Sequence, residues 1–334
     1  MNDYIGIDIS KSSLQVYIPK GNIDLEIDNT KQGLKKLTAK LKKLYGNTTS
    51  SLVWIYEPTG SYWTTIKKYC HDNNISCFIV KPSQSAAFAK TTKNRNKTDI
   101  VDARMLYRMH TIANKENISI PTHDVAQIQL QNHIRYYKSL VRERVVKTNQ
   151  LEASLAREDE VFIVRKLRSK IKALKKEEKE IVEKMLGLIA LVPKYKKQLE
   201  SITSFKGVGN LSGIVLLEFF MRYKDASAKE ITALAGLDPI EISSGSSIHK
   251  KSRISKQGSK LIRNTLFMGT LISIQYNAEM RNFFDRLKTN GKHTTSAQIA
   301  VMRKIVTITY SLYKTNTLYD ETRYEKWNNL QKPS

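Results

Sequence analysis

Near the N-terminus apolar and polar positions alternate, and the pattern then shifts to a helical period. Ile5 to Ile9 reads as a strand, Leu14 to Pro19 as a second after a Ser-Lys-Ser-Ser turn, and Asp24 to Asp28 as a third after Gly21-Asn22. From Gly33 to Tyr45 the leucines at Leu34, Leu37, Leu41 and Leu44 fall on one stripe, which predicts a helix. Strand and helix then alternate: Ser51 to Tyr56, Tyr62 to Asn74, Ser76 to Val80, and a helix opening near Pro82. Thr91 to Thr98 reads as a basic loop and Asp99 to Asn114 as a helix. Three strands in a meander followed by alternating elements predict a mixed sheet with an antiparallel edge. RNase H-like domains share that order, and the actin-like ATPase fold also opens with Gly-Ile-Asp on a first strand.

Pro121 marks a boundary, and no further Pro or turn signal interrupts the chain until Gly187. Leu167, Ile171, Leu174, Ile181, Met185 and Leu188 keep a heptad-like spacing that Glu178 interrupts. Ile134, Tyr137, Val141, Leu151 and Leu155 keep it more weakly, and Arg157-Glu158-Asp159-Glu160 reads as a break. Two long coiled-coil helices are expected, paired with each other or with another protomer. After Pro193 the chain is helical, with Gly207-Val208-Gly209 between two helices like the turn of a helix-hairpin-helix. Such glycines let backbone N–H groups approach a phosphate. Leu237 to Ile248 is a short polar strand or loop. Helices are expected from about Lys256 to Tyr276, Glu279 to Asn290 and Thr295 to Tyr313. The domains expected are 1–120, an α/β sheet domain; 121–192, the coiled coil; and 193–334, an all-α domain.

Charge changes the picture. Lys and Arg number 56 against 31 Asp and Glu, a formal +25. That excess is the footprint of a polyanionic partner, nucleic acid first. No apolar run approaches the roughly 20 residues of a spanning helix. The N-terminus runs straight into strand-like sequence, so a leader peptide is not expected and a cytoplasmic location is. Cys70 and Cys77 lack metal-ligand company and read as reduced, buried thiols.

Against this basic background four acids stand out. Asp8 and Glu57 each follow a β-branched or aromatic run and so belong at strand ends. Asp99 and Asp102 are three apart on a helix and share a face. Convergent carboxylates repel and take up protons unless cations neutralise them, and paired Mg²⁺ ions serve phosphodiester chemistry. A second cluster, Ser243-Ser244-Gly245-Ser246-Ser247, precedes Lys250, Lys251, Arg253, Lys256, Lys260 and Arg263, which could hold a phosphate.

Several segments together resemble the transposases of insertion sequences related to the Piv DNA invertase, the bridge-RNA-guided recombinases. They are Tyr-Ile-Gly-Ile-Asp-Ile-Ser-Lys, Glu-Pro-Thr-Gly-Ser-Tyr-Trp, Asn-Lys-Thr-Asp-Ile-Val-Asp-Ala-Arg, Phe-Lys-Gly-Val-Gly, Ala-Gly-Leu-Asp-Pro, Ser-Gly and Arg-Ile-Ser-Lys-Gln-Gly-Ser-Lys-Leu-Ile-Arg. The resemblance covers nearly the whole chain. It implies a RuvC-like domain carrying Asp8, Glu57, Asp99 and Asp102, and a catalytic serine before a glycine, best matched by Ser244. It implies attack of that serine on DNA to give a phosphoserine link, a structured non-coding RNA pairing with donor and target DNA, and a homo-oligomer from dimer to tetramer. Lys206, Gly207 and Gly209 would join the basic residues above in binding nucleic acid. The register is not unique, because Ser243 and Ser246 also flank Gly245. The family's alanine in Ala-Gly-Leu-Ala-Pro is Asp238 here. The rival readings are a RuvC-like nuclease using metal-activated water alone, an actin-fold kinase, for which a second Asp-Gly phosphate loop is missing, and a non-catalytic RNA- or DNA-binding protein.

Overall fold

The computed structural model describes residues 3–91, 98–244 and 248–321, with side chains omitted for 241–252. The chain forms two compact units, Met1–Asp124 and Val125–Ser334.

The first unit is built on a six-stranded sheet ordered β3-β2-β1-β4-β5-β6. Its strands are β1 (Tyr4–Ile9), β2 (Ser13–Ile18), β3 (Ile23–Asp28), β4 (Val53–Tyr56), β5 (Ser76–Ile79) and β6 (Ile118–Ser119). β1, β4 and β5 run parallel, while β2, β3 and β6 pair antiparallel. The predicted mixed sheet with its antiparallel edge is therefore present. β6 was not expected, since a two-residue strand has no periodicity to read. β4 is buried on both faces, as a central parallel strand must be.

Alternation along the strands divides the core in two. Ile5, Ile7, Ile9, Trp54 and Tyr56 pack with Leu34, Leu37 and Leu41 of α1 (Lys31–Tyr45) and Ile66 of α2 (Thr64–Asp72). Val53, Ile55 and Phe78 pack with Leu106 of α4 (Asp99–Arg108) and with Met109. Cys70 and Cys77 are free and buried. α3 (Pro82–Thr91) completes the unit's helices, and α4 stops at Arg108, short of the expected Asn114.

The second unit begins with two long helices, α5 (Val125–Ala156) and α6 (Val161–Ala190), folded into a hairpin. Leu140 meets Leu174 and Ile181 in its seam. Glu178, which breaks the heptad, sits half-buried with its Oε1 2.6 Å from Nε of Arg144. The helices thus pair with each other within one chain. The base of the hairpin is not a separate body: Leu130, Ile134, Met185 and Ile189 belong to the same core as the helices that follow. Those helices are α7 (Pro193–Thr203), α8 (Asn210–Arg222), α9 (Ala228–Leu234), α10 (Lys260–Tyr276), α11 (Ala278–Thr289) and α12 (Thr294–Thr315). α8 is buried from Gly213 to Phe220, so it is the central helix of the unit. A two-stranded ribbon, β7 (Pro239–Ser244) and β8 (Ile248–Ile254), lies between α9 and α10. α10 begins at Lys260 rather than Lys256, because Lys256 holds φ 56° in the turn before it.

Candidate active site

In the sheet unit, Gly6 pairs with Ile55 and Ile7 with Tyr56 across the parallel β1–β4 ladder. The next residues in that register are Asp8 and Glu57. By the two-residue alternation of strands, they share the face that carries Gly6 and Ile55. Both acids therefore leave the C-terminal ends of adjacent parallel strands on one side.

α4 covers that side, and a glycine lets it come close. A Cβ on Gly6 would stand 2.1 Å from the carbonyl oxygen of Ala103 and 2.5 Å from the amide nitrogen of Tyr107. No side chain fits between strand and helix there. The contact point, Ala103, directly follows Asp102, and Asp99 lies one turn earlier. α4 starts under a Thr98 cap, whose hydroxyl accepts from the amide of Val101 at 3.3 Å. Two acids in its first turn also suit the positive end of the helix dipole. Arg104 fastens the helix to the meander, its Nε and Nη2 donating to the Asp24 carboxylate at 3.0 and 2.5 Å. The same guanidinium lies over the Tyr17 ring, 4.8 Å from its centre.

The electrostatics record the convergence. Burial, with the charges of Asp102, Asp99 and Glu57, pushes the Asp8 carboxyl from an ordinary 3.8 to about 6, against a backbone hydrogen bond at Ile9 that lowers it. The sequence-predicted quartet is thus brought into one field. Its donors are all carboxylate oxygens, the set that hard divalent cations take. Among the described residues no three acids, histidines or cysteines stand close enough to hold a metal ion as the side chains are set. The quartet fits a cation in charge and donor type, and its rotamers would have to close on one.

In the helical unit, the backbone of Ser243 and Ser244 ends β7, paired with His249 and Ile248 of β8. Gly245, Ser246 and Ser247 lie outside the described residues, as do the side chains of Ser243, Ser244, Lys250 and Lys251. The serine cluster therefore belongs to the end of a β-ribbon, not to a helix. The base of the ribbon is clamped. Asp238 Oδ1 accepts a short hydrogen bond from the Ser255 hydroxyl, and the Ser255 amide donates to the Asp238 carbonyl at 3.0 Å. Asp238, the departure from the family pattern, thus joins the two strands at their root. Arg253, Lys256 and Lys260 are exposed. Arg263 is half-buried and donates through Nη1 to the Gly258 carbonyl at 2.7 Å and that of Ala235 at 3.3 Å, so it holds the turns around the ribbon.

The turn between α7 and α8 carries Lys206, Gly207 and Gly209. Gly207 has φ +106°, and a Cβ on it would stand 2.1 Å from the Ser273 hydroxyl and 2.5 Å from the Gly269 carbonyl oxygen. Its glycine serves close packing on α10, and the Ser273 hydroxyl donates to the Lys206 carbonyl at 2.7 Å. Gly209 is exposed, with open space about its Cα, at the start of α8. The Lys206 ammonium is 2.7 Å from the Glu321 carboxylate. Tyr319 holds that C-terminal segment down: its amide donates to the Ser204 hydroxyl at 2.8 Å and its ring packs edge-on against Phe205 at 4.7 Å.

Gly6, Ser255 and Glu321 were not singled out in the sequence, and Asp238 was noted only as a departure from the family pattern. Only Gly6 left a signal, standing two residues before Asp8 and hence on its face.

Known proteins are similar to this chain along these lines. Residues 5–158, which hold the four acids, match a transposase family model of the IS110 type. Residues 199–285, which hold the α7–α8 turn and the ribbon, match one described as the transposase IS116/IS110/IS902 family. The pilin gene-inverting protein of Moraxella bovis is 28% identical over 331 residues, 96% of this chain and 99% of that one. Its counterpart in Moraxella lacunata is 28% identical over 328 residues, with the same coverage. The insertion element IS110 uncharacterized 43.6 kDa protein of Streptomyces coelicolor is 26% identical over 123 residues, 36% of this chain and 29% of its own length.

Proposed function

The chain belongs to the IS110/IS116 transposases and is a DNA recombinase or transposase, and on that premise we propose how its residues carry out strand exchange. The observation that carries the proposal is the meeting of Asp8, Glu57, Asp99 and Asp102 in one electrostatic field. In this reading the sheet unit is a RuvC-like domain, and its four carboxylates hold divalent magnesium, two ions per site. The bound ions would neutralise charge on the scissile phosphate and orient it.

The residues of the chain do the rest. Ser244 is the nucleophile: its Oγ forms a bond to phosphorus as the bond from phosphorus to a deoxyribose oxygen breaks. The serine proton passes to water, and the departing sugar oxygen takes one up from water. The resulting phosphoserine conserves the ester, so the reverse attack by a new strand end rejoins DNA without a nucleotide cofactor. Lys250, Lys251, Arg253, Lys256 and Lys260 hold the DNA backbone beside the ribbon. A structured RNA from the element supplies sequence recognition by base pairing, as other guided enzymes do. The enzyme works as a homo-oligomer of dimer to tetramer size, because two duplexes must be cut together.

Trapping tests the chemistry directly. Incubation with a nicked DNA substrate and Mg²⁺, followed by mass spectrometry, is expected to find phosphate on Ser244, and the Ser244→Ala variant is expected to lose the adduct. Modification of Ser243, Ser246 or Ser247 would move the nucleophile without changing the mechanism. Cleavage with no serine adduct would assign the reaction to water at the carboxylates, as in a RuvC-like nuclease.

A further inference from the structure

The ladder between β1 and β4 ends one residue short of the acids it presents. Its last pair is Ile7 with Tyr56, and Asp8 and Glu57 come next. β1 runs on to Ile9 beside β2, whereas β4 stops and the chain turns away through Pro58 to Tyr62. Strand pairing alone therefore does not fix the separation of the two carboxylates.

One side chain bridges the two connections. Asn29 follows β3, whose last residue, Asp28, pairs with Ser13 at the same end of the sheet. Its Nδ2 donates to the Ser10 carbonyl at 3.0 Å and to the Tyr62 carbonyl at 3.0 Å. Ser10 is two residues past Asp8, and Tyr62 is five past Glu57. The Asn29 backbone amide adds a third bond, to the Ser12 carbonyl at 2.9 Å. A single amide nitrogen thus spans the segments that leave both acid-bearing strands.

This side chain differs from an ordinary loop asparagine. The orientation of its amide is determined, because both neighbours are carbonyl oxygens and only the NH2 group can face them. Its Oδ1 is buried and has no hydrogen-bond partner among the described residues, an arrangement that costs free energy. Nor does it cap α1. Thr30 does that, its hydroxyl accepting from the Gly33 amide at 3.1 Å. The position keeps two donor bonds although its acceptor is unpaired, so bridging is what it does.

We propose that Asn29 is a positioning residue for the carboxylate pair. Its bridge between Ser10 and Tyr62 sets the separation of Asp8 and Glu57, and with it the affinity of the quartet for a divalent cation. The role rests on the reading that these carboxylates hold the metal. Mg²⁺ demands near-ideal octahedral oxygen ligands, so a carboxylate that drifts by a fraction of an ångström is a poorer one. Groups that orient metal ligands from behind typically change affinity about tenfold or more when removed.

Binding of Mn²⁺, which takes the same oxygen donors, tests it in the DNA-free full chain, with the free ion counted by electron paramagnetic resonance. Asn29→Ala is expected to weaken Mn²⁺ binding about tenfold. Asn29→Asp keeps the shape but replaces both donors with acceptors, and is expected to weaken it too. Its added charge alone would tighten cation binding, so the sign separates geometry from electrostatics. Thr30→Ala is the structural control: it removes the α1 cap beside the bridge and should lower urea stability while leaving Mn²⁺ binding at the wild-type value. Asp8→Asn reports whether the ion sits on the quartet. If that variant titrates like wild type, the metal reading falls and this role with it. If it loses the ion while both Asn29 variants keep wild-type affinity, Asn29 serves the fold alone and only the positioning role is overturned. Equal weakening by Thr30→Ala would overturn that role as well, since any loosening of the unit would then suffice.

Discussion

Asp102 on α4 is the strongest charged influence on Asp8 of β1, second only to burial in raising its carboxyl to about 6. The effect has a definite sign. A folded-state value above the ordinary 3.8 means that the native protein binds the proton more tightly than the unfolded chain. The stabilisation is complete below about pH 4 and is lost as pH rises through 6. Asp8 is partly exposed, so solvent screening reduces the effect to about 1 kcal/mol. Metal-free Asp8→Asn protein is therefore expected to unfold at higher urea than wild type at pH 7.5, with the gap closing near pH 4. Parallel stability–pH curves for the two proteins would show that the quartet does not repel.

Magnesium is expected to reverse that penalty. Added to the wild type at pH 7.5 it should raise the melting temperature, because a ligand that binds only the native state stabilises it. Asp8→Asn and Asp102→Asn should lose the rise, along with strand cleavage. Equal Mg²⁺-dependent shifts in wild type and both variants would place the ion elsewhere.

Much of this site was legible because strands and helices have fixed periods. Asp8 and Glu57 end apolar runs, and a spacing of three on a helix puts Asp99 and Asp102 on one face. The sheet domain was readable for the same reason, its alternation being clear within each of the first three strands. What the sequence hid is long-range. Nothing local says that Ala103 must touch Gly6, that Asp238 faces Ser255 across a ribbon, or that Glu321 returns to Lys206. Gly207 left two readings open for the opposite reason. A glycine with positive φ suits a phosphate or a tightly packed helix equally well, and only the position of Gly269 and Ser273 on α10 reveals the packing.

Gly6→Ala tests whether the close approach of α4 assembles the site. The added methyl meets backbone on two sides, and backbone cannot swing away. The helix must shift or the strand must bend, at a cost of about 1–3 kcal/mol. Cleavage should fall further than stability, because Asp99 and Asp102 move with the helix. Gly209→Ala is the control, with open space around it and an expected effect within about 0.5 kcal/mol. Full cleavage by Gly6→Ala would detach the acids from this contact.

The Asp238–Ser255 clamp should matter for the ribbon more than for the fold. Asp238→Ala removes one hydrogen bond of a half-buried pair, worth about 1–2 kcal/mol. Its larger effect is expected on DNA-adduct formation, since Ser243 and Ser244 lie at the far end of the strand that Asp238 anchors. Asp238→Asn can still accept from Ser255 and should recover most of the adduct. If alanine and asparagine behave alike, the clamp does not position the serines.

Lys206 offers the clearest competition between a protein carboxylate and a phosphate. Its ammonium and the Glu321 carboxylate are both about half exposed, so their 2.7 Å contact is worth less than about 1 kcal/mol. Such a pair gives way easily to a polyanion. If the α7–α8 turn contacts nucleic acid, Lys206→Gln should weaken duplex binding several-fold and flatten its salt dependence by close to one released counterion. Glu321→Gln should tighten binding by about twofold to fivefold, because DNA no longer has to displace a carboxylate. The order of effects is diagnostic: with Lys206 already replaced, Glu321→Gln should change little, since the carboxylate then has no cation to mask. Fluorescence anisotropy with the four proteins at two salt concentrations measures all of this. A Lys206→Gln variant with wild-type affinity and salt slope would remove the turn from the interface, leaving Glu321 as a surface ion-pair partner only.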